Sequence, residues 1–279
     1  MTVKELREAL SKESDIARLY LNGVELTLNQ IIIKLPHVET PIEMPVTDFG
    51  LKSDGSDNRK ILQDLINDYA KRGDKLTLPQ GRFSISDELS IPSNTFIEGY
   101  GDKTEIFLSD GNKDNRRALK VVKDAYNVKL INLTVNGNRV GQKGKKCGAL
   151  FVNDTTGDLY FEKVKFLGGR NIGTVQVKGV ALDVRVWIVK NVTFLNCKFG
   201  DAGSHNLELW GVERFKVTGC EFTDYGLDDG DPVYGDKNWK SPSVKLQSVP
   251  CRNGVITRNT WNNTAGVQFA IESSDSWMY

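Results

Sequence analysis

Five short segments in the second half of the chain share one pattern. They are Asn132-Leu133-Thr134-Val135, Lys163-Val164-Lys165-Phe166, Asn196-Cys197-Lys198-Phe199, Gly219-Cys220-Glu221-Phe222 and Asn259-Thr260-Trp261. In each, a large residue closes a short alternating strand, and Gly203, Gly226 and Gly266 follow three of them. Phe199 and Phe222 are 23 residues apart, while Phe166 to Phe199 takes 33 and Phe222 to Trp261 takes 39, so two repeats carry about 10 and 16 extra residues. A period in the twenties with insertions at fixed points is the mark of a solenoid. Leu207-Glu208-Leu209, Val244-Lys245-Leu246 and Phe269-Ala270-Ile271 align as further strands, with no helical stretch between. A coil of this length made of short strands is one turn of a parallel β-helix. Alternation sends Leu207, Val244 and Phe269 inward, and Glu208 and Lys245 outward.

Ahead of the repeats, Asp57 or Asn58 caps a helix from about Arg59 to Lys71. Its buried side is Ile61, Leu62, Leu65, Ile66 and Tyr69, and Gly73 stops it. Strand-like pieces follow at Lys75–Leu78, Arg82–Ile85, Leu89–Ile91 and 95–99. The first 45 residues differ: helical spacing over Val3–Lys12, a hairpin around Asn22-Gly23, then a proline-punctuated linker. The expected organisation is a small attachment element at 1–45 and a β-helix domain at 46–279.

Residues 46 to 109 carry a longer signature: Asp48-Phe49-Gly50, Lys52 with Asp54-Gly55, the capping helix, Leu78-Pro79-Gln80-Gly81-Arg82-Phe83, and Ile91-Pro92-Ser93-Asn94 before Glu98-Gly99-Tyr100-Gly101. This order resembles the opening of the pectate-lyase-like, right-handed parallel β-helix family. The resemblance implies an all-β, single-stranded right-handed parallel β-helix with an N-terminal capping helix. It fixes chemistry less well, since one scaffold hosts many activities. The family includes secreted pectin-degrading enzymes, uronan epimerases, and bacteriophage tailspikes or appendages that bind or cut cell-surface polysaccharide. The stretch MTVKELREALSKES has no apolar export segment, and a short non-repetitive module precedes the β-helix; both favour the phage branch. That branch implies a homotrimer, a virion location, attachment to other virion proteins through residues 1–45, and action on host polysaccharide outside the cell. The alternatives are a non-catalytic virion or receptor-binding protein and a free pectin-type hydrolase, lyase or epimerase.

Charge excludes other classes. With 37 basic and 36 acidic residues and no basic stripe, a dedicated nucleic-acid binder is not expected, and no apolar run suits a membrane span. Four unevenly spaced cysteines and two histidines suggest neither a disulfide framework nor a metal centre. Cys197 and Cys220 share an inward position on adjacent coils; a disulfide is open to them by separation, and a stack of small apolar residues is the simpler reading.

Candidate chemistry follows from stacking. Two positions past the aromatic lie Asp201, Asp224 and Asn263, so Asp201 and Asp224 fall on adjacent coils ~4.8 Å apart. Paired carboxylates suit acid–base cleavage of a glycosidic bond, and Asp is equally a common structural residue at such corners. The insertion from Leu227 to Lys240 offers Asp228, Asp229, Asp231 and Asp236 as oxygen ligands, with Tyr234 and Trp239 as flat faces for sugar rings. Its spacing does not match a calcium loop, so no cofactor is expected and calcium is only weakly indicated. Glu208 and Lys245 are expected side by side as an exposed ion pair, with Trp210 one step further on, on a face suited to a saccharide groove. Ser204-His205-Asn206 resembles the histidine strand of polygalacturonases but lacks the preceding Asp pair, Asp183 standing alone, so His205 is expected at the surface or a corner. Ser273–Tyr279 forms no convincing cap, and the natural chain is expected to continue, with catalytic residues beyond Tyr279 a possibility.

Overall fold

The computed structural model describes residues 50–111, 116–153, 156–171, 173–179, 189–229, 231, 241–246, 251–262 and 267–271, and two short strands near the amino terminus. The chain divides into two compact units, Met1–Thr40 and Pro41–Tyr279. In the first, Tyr20–Leu21 pairs antiparallel with Val24–Glu25, and Leu21 opposite Val24 is the register of the expected hairpin.

The second unit opens with a helix, Arg59–Arg72. Asp57 and Asn58 share its entry. The Asp57 carboxylate accepts the Arg59 and Ser86 amides at 3.0 and 2.9 Å. Asn58 turns instead to the preceding loop, accepting from the Lys52 amide and donating to the Lys52 carbonyl. Gly73, at φ 73°, closes the helix with left-handed backbone that a side chain would resist. Leu62, Leu65, Ile66, Tyr69 and Ala70 are buried, and Ile61 packs at the edge of the core.

Beyond the helix the chain winds as a right-handed parallel β-helix with three faces. The first contains Lys75–Thr77, the start of Phe96–Leu108, the start of Tyr126–Asn136, then Thr156–Glu162, Val189–Leu195, Val212–Thr218 and Val255–Thr257. The second contains Gly81–Ile85, the latter parts of the same two long strands, Lys165–Gly169, Lys198–Ala202, Glu221–Thr223 and Thr260–Asn262. Because the two long strands turn the corner, these faces form one 12-stranded sheet. The third face is a separate seven-stranded sheet of Leu89–Ile91, Arg116–Val121, Cys147–Asn153, Val175–Lys178, Leu207–Trp210, Val244–Leu246 and Phe269–Ile271. The repeat alignment holds: Val135, Phe166, Phe199, Phe222 and Trp261 are successive register partners, as are Leu207, Val244 and Phe269.

Inside, like residues stack. The rings of Phe166, Phe199, Phe222 and Trp261 follow one another at 5.4, 4.8 and 5.5 Å, and Phe161 stacks on Phe194 at 4.9 Å. Cys197 and Cys220 are free, buried thiols in the same interior. Corners are made by short polar residues in left-handed backbone. Asn94, Asn127, Asp158 and Asn191 all have φ near 55–60°. Their side chains bond up the column, Asn127 to Asn94 at 3.1 Å and Asn191 to Asp158 at 2.7 Å.

Two expectations about the third face are corrected. Glu208 and Lys245 are register partners, but they are buried, at 4% and 8% exposure, rather than forming an exposed pair. His205 is also buried, its Nδ1 2.8 Å from the Pro242 carbonyl. Glycines explain part of this. Gly173 presents no side chain beneath Glu208, and a Cβ there would lie 2.9 Å from the Glu208 Cβ. Side chains of neighbouring coils can thus lie flat against the sheet instead of standing out into water.

Candidate functional site

The corner after the second face gathers charge. Asp201 and Asp224 occupy the same corner position on consecutive coils, with φ of 48° and 46°, and Gly168 holds that position one coil earlier at φ 78°. The Ala202 amide donates to the Asp224 carbonyl at 2.8 Å, tying the two coils together.

Arg139, far away in sequence, reaches this corner. Its Nε donates to Asp201 Oδ1 at 3.0 Å, and its Nη1 to Asp228 Oδ1 at 2.7 Å. Burial works against the arginine's charge, but the two carboxylates outweigh it and hold its pKa above the ordinary value. Arg170 faces the other oxygen of Asp228 at 3.6 Å and donates to the Gln142 and Gly144 carbonyls. Asp228 is therefore a buried counter-ion between two arginines. Gly203 makes room for it, since a Cβ there would collide with the Asp228 carboxylate. Asp229 accepts both the amide and the hydroxyl of Ser241, at 2.8 and 2.7 Å, and so joins the two ends of the insertion. Asp228 and Asp229, expected to contact sugar, face protein groups instead: Asp228 Oδ1 accepts from Arg139 while its enclosed Oδ2 makes no hydrogen bond, and Asp229 holds Ser241. Asp201, with 38% of its side chain exposed, stays open to solvent.

The second grouping lies on the outside of the third face. Successive coils place Lys120, Phe151, Gln176, Glu208 and Lys245 in one outward column. Gln176 Nε2 donates to Glu208 Oε2 at 2.7 Å, the Gly173 amide donates to the same oxygen at 3.3 Å, and His205 Nε2 is 4.0 Å from Glu208 Oε1. One step further, Lys178 sits 4.5 Å above the Trp210 ring. Tyr234, Trp239 and Asp236 lie outside the described residues. Among the described residues no cluster of three His, Cys, Asp or Glu side chains suits a metal ion, and no helix is long and apolar enough to cross a membrane.

Sequence reasoning brings Asp201 and Asp224 to one corner and Glu208 and Lys245 to adjacent coils. It misses Arg139 and Arg170, and it places the buried His205 at the surface or a corner. Arg139 lies 62 and 89 positions from its two partners, so no local motif marks it. The glycine spacing is the one available signal: Gly203 and Gly226, noticed as repeat ends, abut Asp228 and Asp229.

No family model matches the sequence. No curated protein matches it either. Among solved structures, a Parabacteroides merdae protein proposed to be a glycosyl hydrolase aligns over 81% of this chain and 98% of its own, at 14% identity and a TM-score of 0.58. The surface adhesin PfbA of Streptococcus pneumoniae aligns over 85% of this chain and 68% of its own, at 13% identity and the same TM-score of 0.58. The N-terminal fragment of bacteriophage phi29 gene product 12 aligns over 79% of this chain but only 37% of its own, at 16% identity and a TM-score of 0.58. At such identities the likeness is one of fold, and the chain is a right-handed parallel β-helix of the kind its sequence motifs resemble.

Proposed function

We propose that this chain is the β-helix of a bacteriophage tailspike or appendage that binds host cell-surface polysaccharide and cleaves its glycosidic bonds. The observation that carries the reading is the corner pair Asp201 and Asp224 on consecutive coils, with Arg139 fastened to Asp201. Glycosidic cleavage needs two carboxylates in different protonation states, and ~5–5.5 Å between them suits the retaining course. Asp201 and Asp224 divide the roles of acid and of base or nucleophile, with Arg139 orienting Asp201. Trp210, Tyr234 and Trp239 supply flat faces for sugar rings, with Glu208 and Lys245 along the groove, while Asp228 and Asp229 support the loop. Fold likeness to a protein proposed to be a glycosyl hydrolase and to a phage gene product agrees with this assignment. Residues 1–45 serve as attachment to other virion proteins, and the working form is a homotrimer on the virion.

Release of reducing ends or unsaturated uronates from host glycan is the test, with Asp201→Asn and Asp224→Asn each expected to lower turnover about 100-fold or more. Unchanged turnover in both variants removes these residues from the site. A monomer by light scattering counts against the phage assignment. One observation favours a binding-only protein: Gly168, Asp201 and Asp224 share left-handed backbone, so the aspartates also have a purely structural reason to be there. That reading predicts retention of glycan with no product released.

A further inference from the structure

Two arginines are buried in the described structure, each 5% exposed, and they differ in one respect. Arg170 faces Asp228 at 3.6 Å. Arg117 has no carboxylate within 4.0 Å among the described residues. Its printed contacts are a donation from Nη1 to the Arg116 carbonyl at 3.2 Å and the Phe151 ring 5.5 Å from the guanidinium carbon, and its Nε is enclosed without a hydrogen bond. Burial pulls its pKa down to about 10, only partly offset by Cys147, Glu88 and Glu208, so the group remains a cation at neutral pH. Gly148, its register partner on the next coil, leaves room for the arginine itself, since a Cβ there would lie 3.0 Å from Arg117 Cδ. A desolvated cation without a counter-ion is costly, and the missing partner is an anion.

We propose that Arg117 marks a subsite on the outside of the third face for a singly charged anionic group of a saccharide, a carboxylate or a phosphodiester. This rests on the polysaccharide reading and narrows it to an acidic glycan. The guanidinium fork matches either group through paired hydrogen bonds, and the half-buried Phe151 ring beside it offers a face for the sugar. Glu208, whose field reaches Arg117, disfavours a doubly charged phosphate monoester in the same place.

The test is native affinity electrophoresis through gels containing polygalacturonate, glycerol-phosphate teichoic acid or dextran, followed by a parallel run on host surface extract. One anionic polymer is expected to retard the protein, dextran is not, and added salt weakens the effect. Arg117→Met is expected to weaken that affinity about tenfold or more while the melting temperature holds or rises, because an uncompensated buried charge is removed. Arg117→Lys keeps the charge without the fork and is expected to fall between the two, which covers the case of a poorly folded methionine variant. Wild-type mobility of either variant in the anionic gels overturns the subsite, as does failure of both anionic polymers to retard the parent. Binding of host extract under those conditions leaves the polysaccharide reading standing, and failure there as well removes both.

Discussion

The outward column of the first face and that of the third face are built alike and fare differently. On the first, Lys129, Tyr160, Thr193, Lys216 and Val255 follow one another in register and stay exposed or half-exposed. On the third, Gln176, Glu208 and Lys245 also point away from the interior, yet all three are buried. A β-helix needs only its inner columns to be dry. Polar groups buried on an outer wall add desolvation cost and must recover it through hydrogen bonds. Glu208 does so through Gln176 and the Gly173 amide. Inner columns repeat one residue type and stabilise by self-contact, whereas the third-face column changes chemistry at every coil. Burial combined with variety is what separates a candidate binding wall from scaffold.

The largest effect is expected inside. Phe199 lies between Phe166 and Phe222 in the ring stack, so Phe199→Ala removes two stacked contacts and leaves a cavity, at a cost of about 3–5 kcal/mol. Thr193→Ala, on the exposed wall, is expected within about 0.5 kcal/mol of the parent. Urea midpoints with matched slopes measure both, and equal costs would abolish the contrast between inner column and outer wall. Next comes Asp228→Ala. It removes the carboxylate shared by Arg139 and Arg170, leaving Arg139 with Asp201, and breaking a buried pair from one side costs about 3 kcal/mol. A near-neutral result would mean that the arginines find water, and that this corner is wetter than its geometry indicates.

How far the sequence led depends on which residues repeat. Phe166, Phe199, Phe222 and Trp261 recur at one phase of a short strand, so their stacking could be counted off before any coordinates. The helix stop at Gly73 and the corner placement of Asp201 and Asp224 were readable for the same reason: one residue, one local backbone requirement. Arg139 and Arg117 were not readable. Each acts across coils through a long, flexible side chain, and its position depends on insertions whose length carries no phase information. The exposed ion pair expected for Glu208 and Lys245 failed for a related reason. Alternation tells inward from outward, but outward is not the same as wet, and the glycines that let side chains lie down on the sheet belong to a different coil.

A polar contact left in water sharpens the comparison from the other side. Asp57 is exposed, yet its carboxylate accepts the Arg59 amide, the Ser86 amide and the Ser86 hydroxyl, the last at 2.6 Å, pinning the capping helix to the first coil. Asp57→Ala is expected to cost about 1 kcal/mol at neutral pH, well below the buried Asp228. Partial burial acts to raise the Asp57 pKa, but the Ser86 hydroxyl and the two amides outweigh it, so the folded value lies below the ordinary one. A depressed carboxylate stabilises the fold above its unfolded pKa of ~3.9 and loses that contribution as pH falls through the folded value. The stability gap between the parent and Asp57→Ala should thus be constant from pH 7 to 5 and shrink towards pH 2. Denaturant titrations at four pH values measure it; a gap that persists in acid would assign the Asp57 contribution to geometry rather than charge.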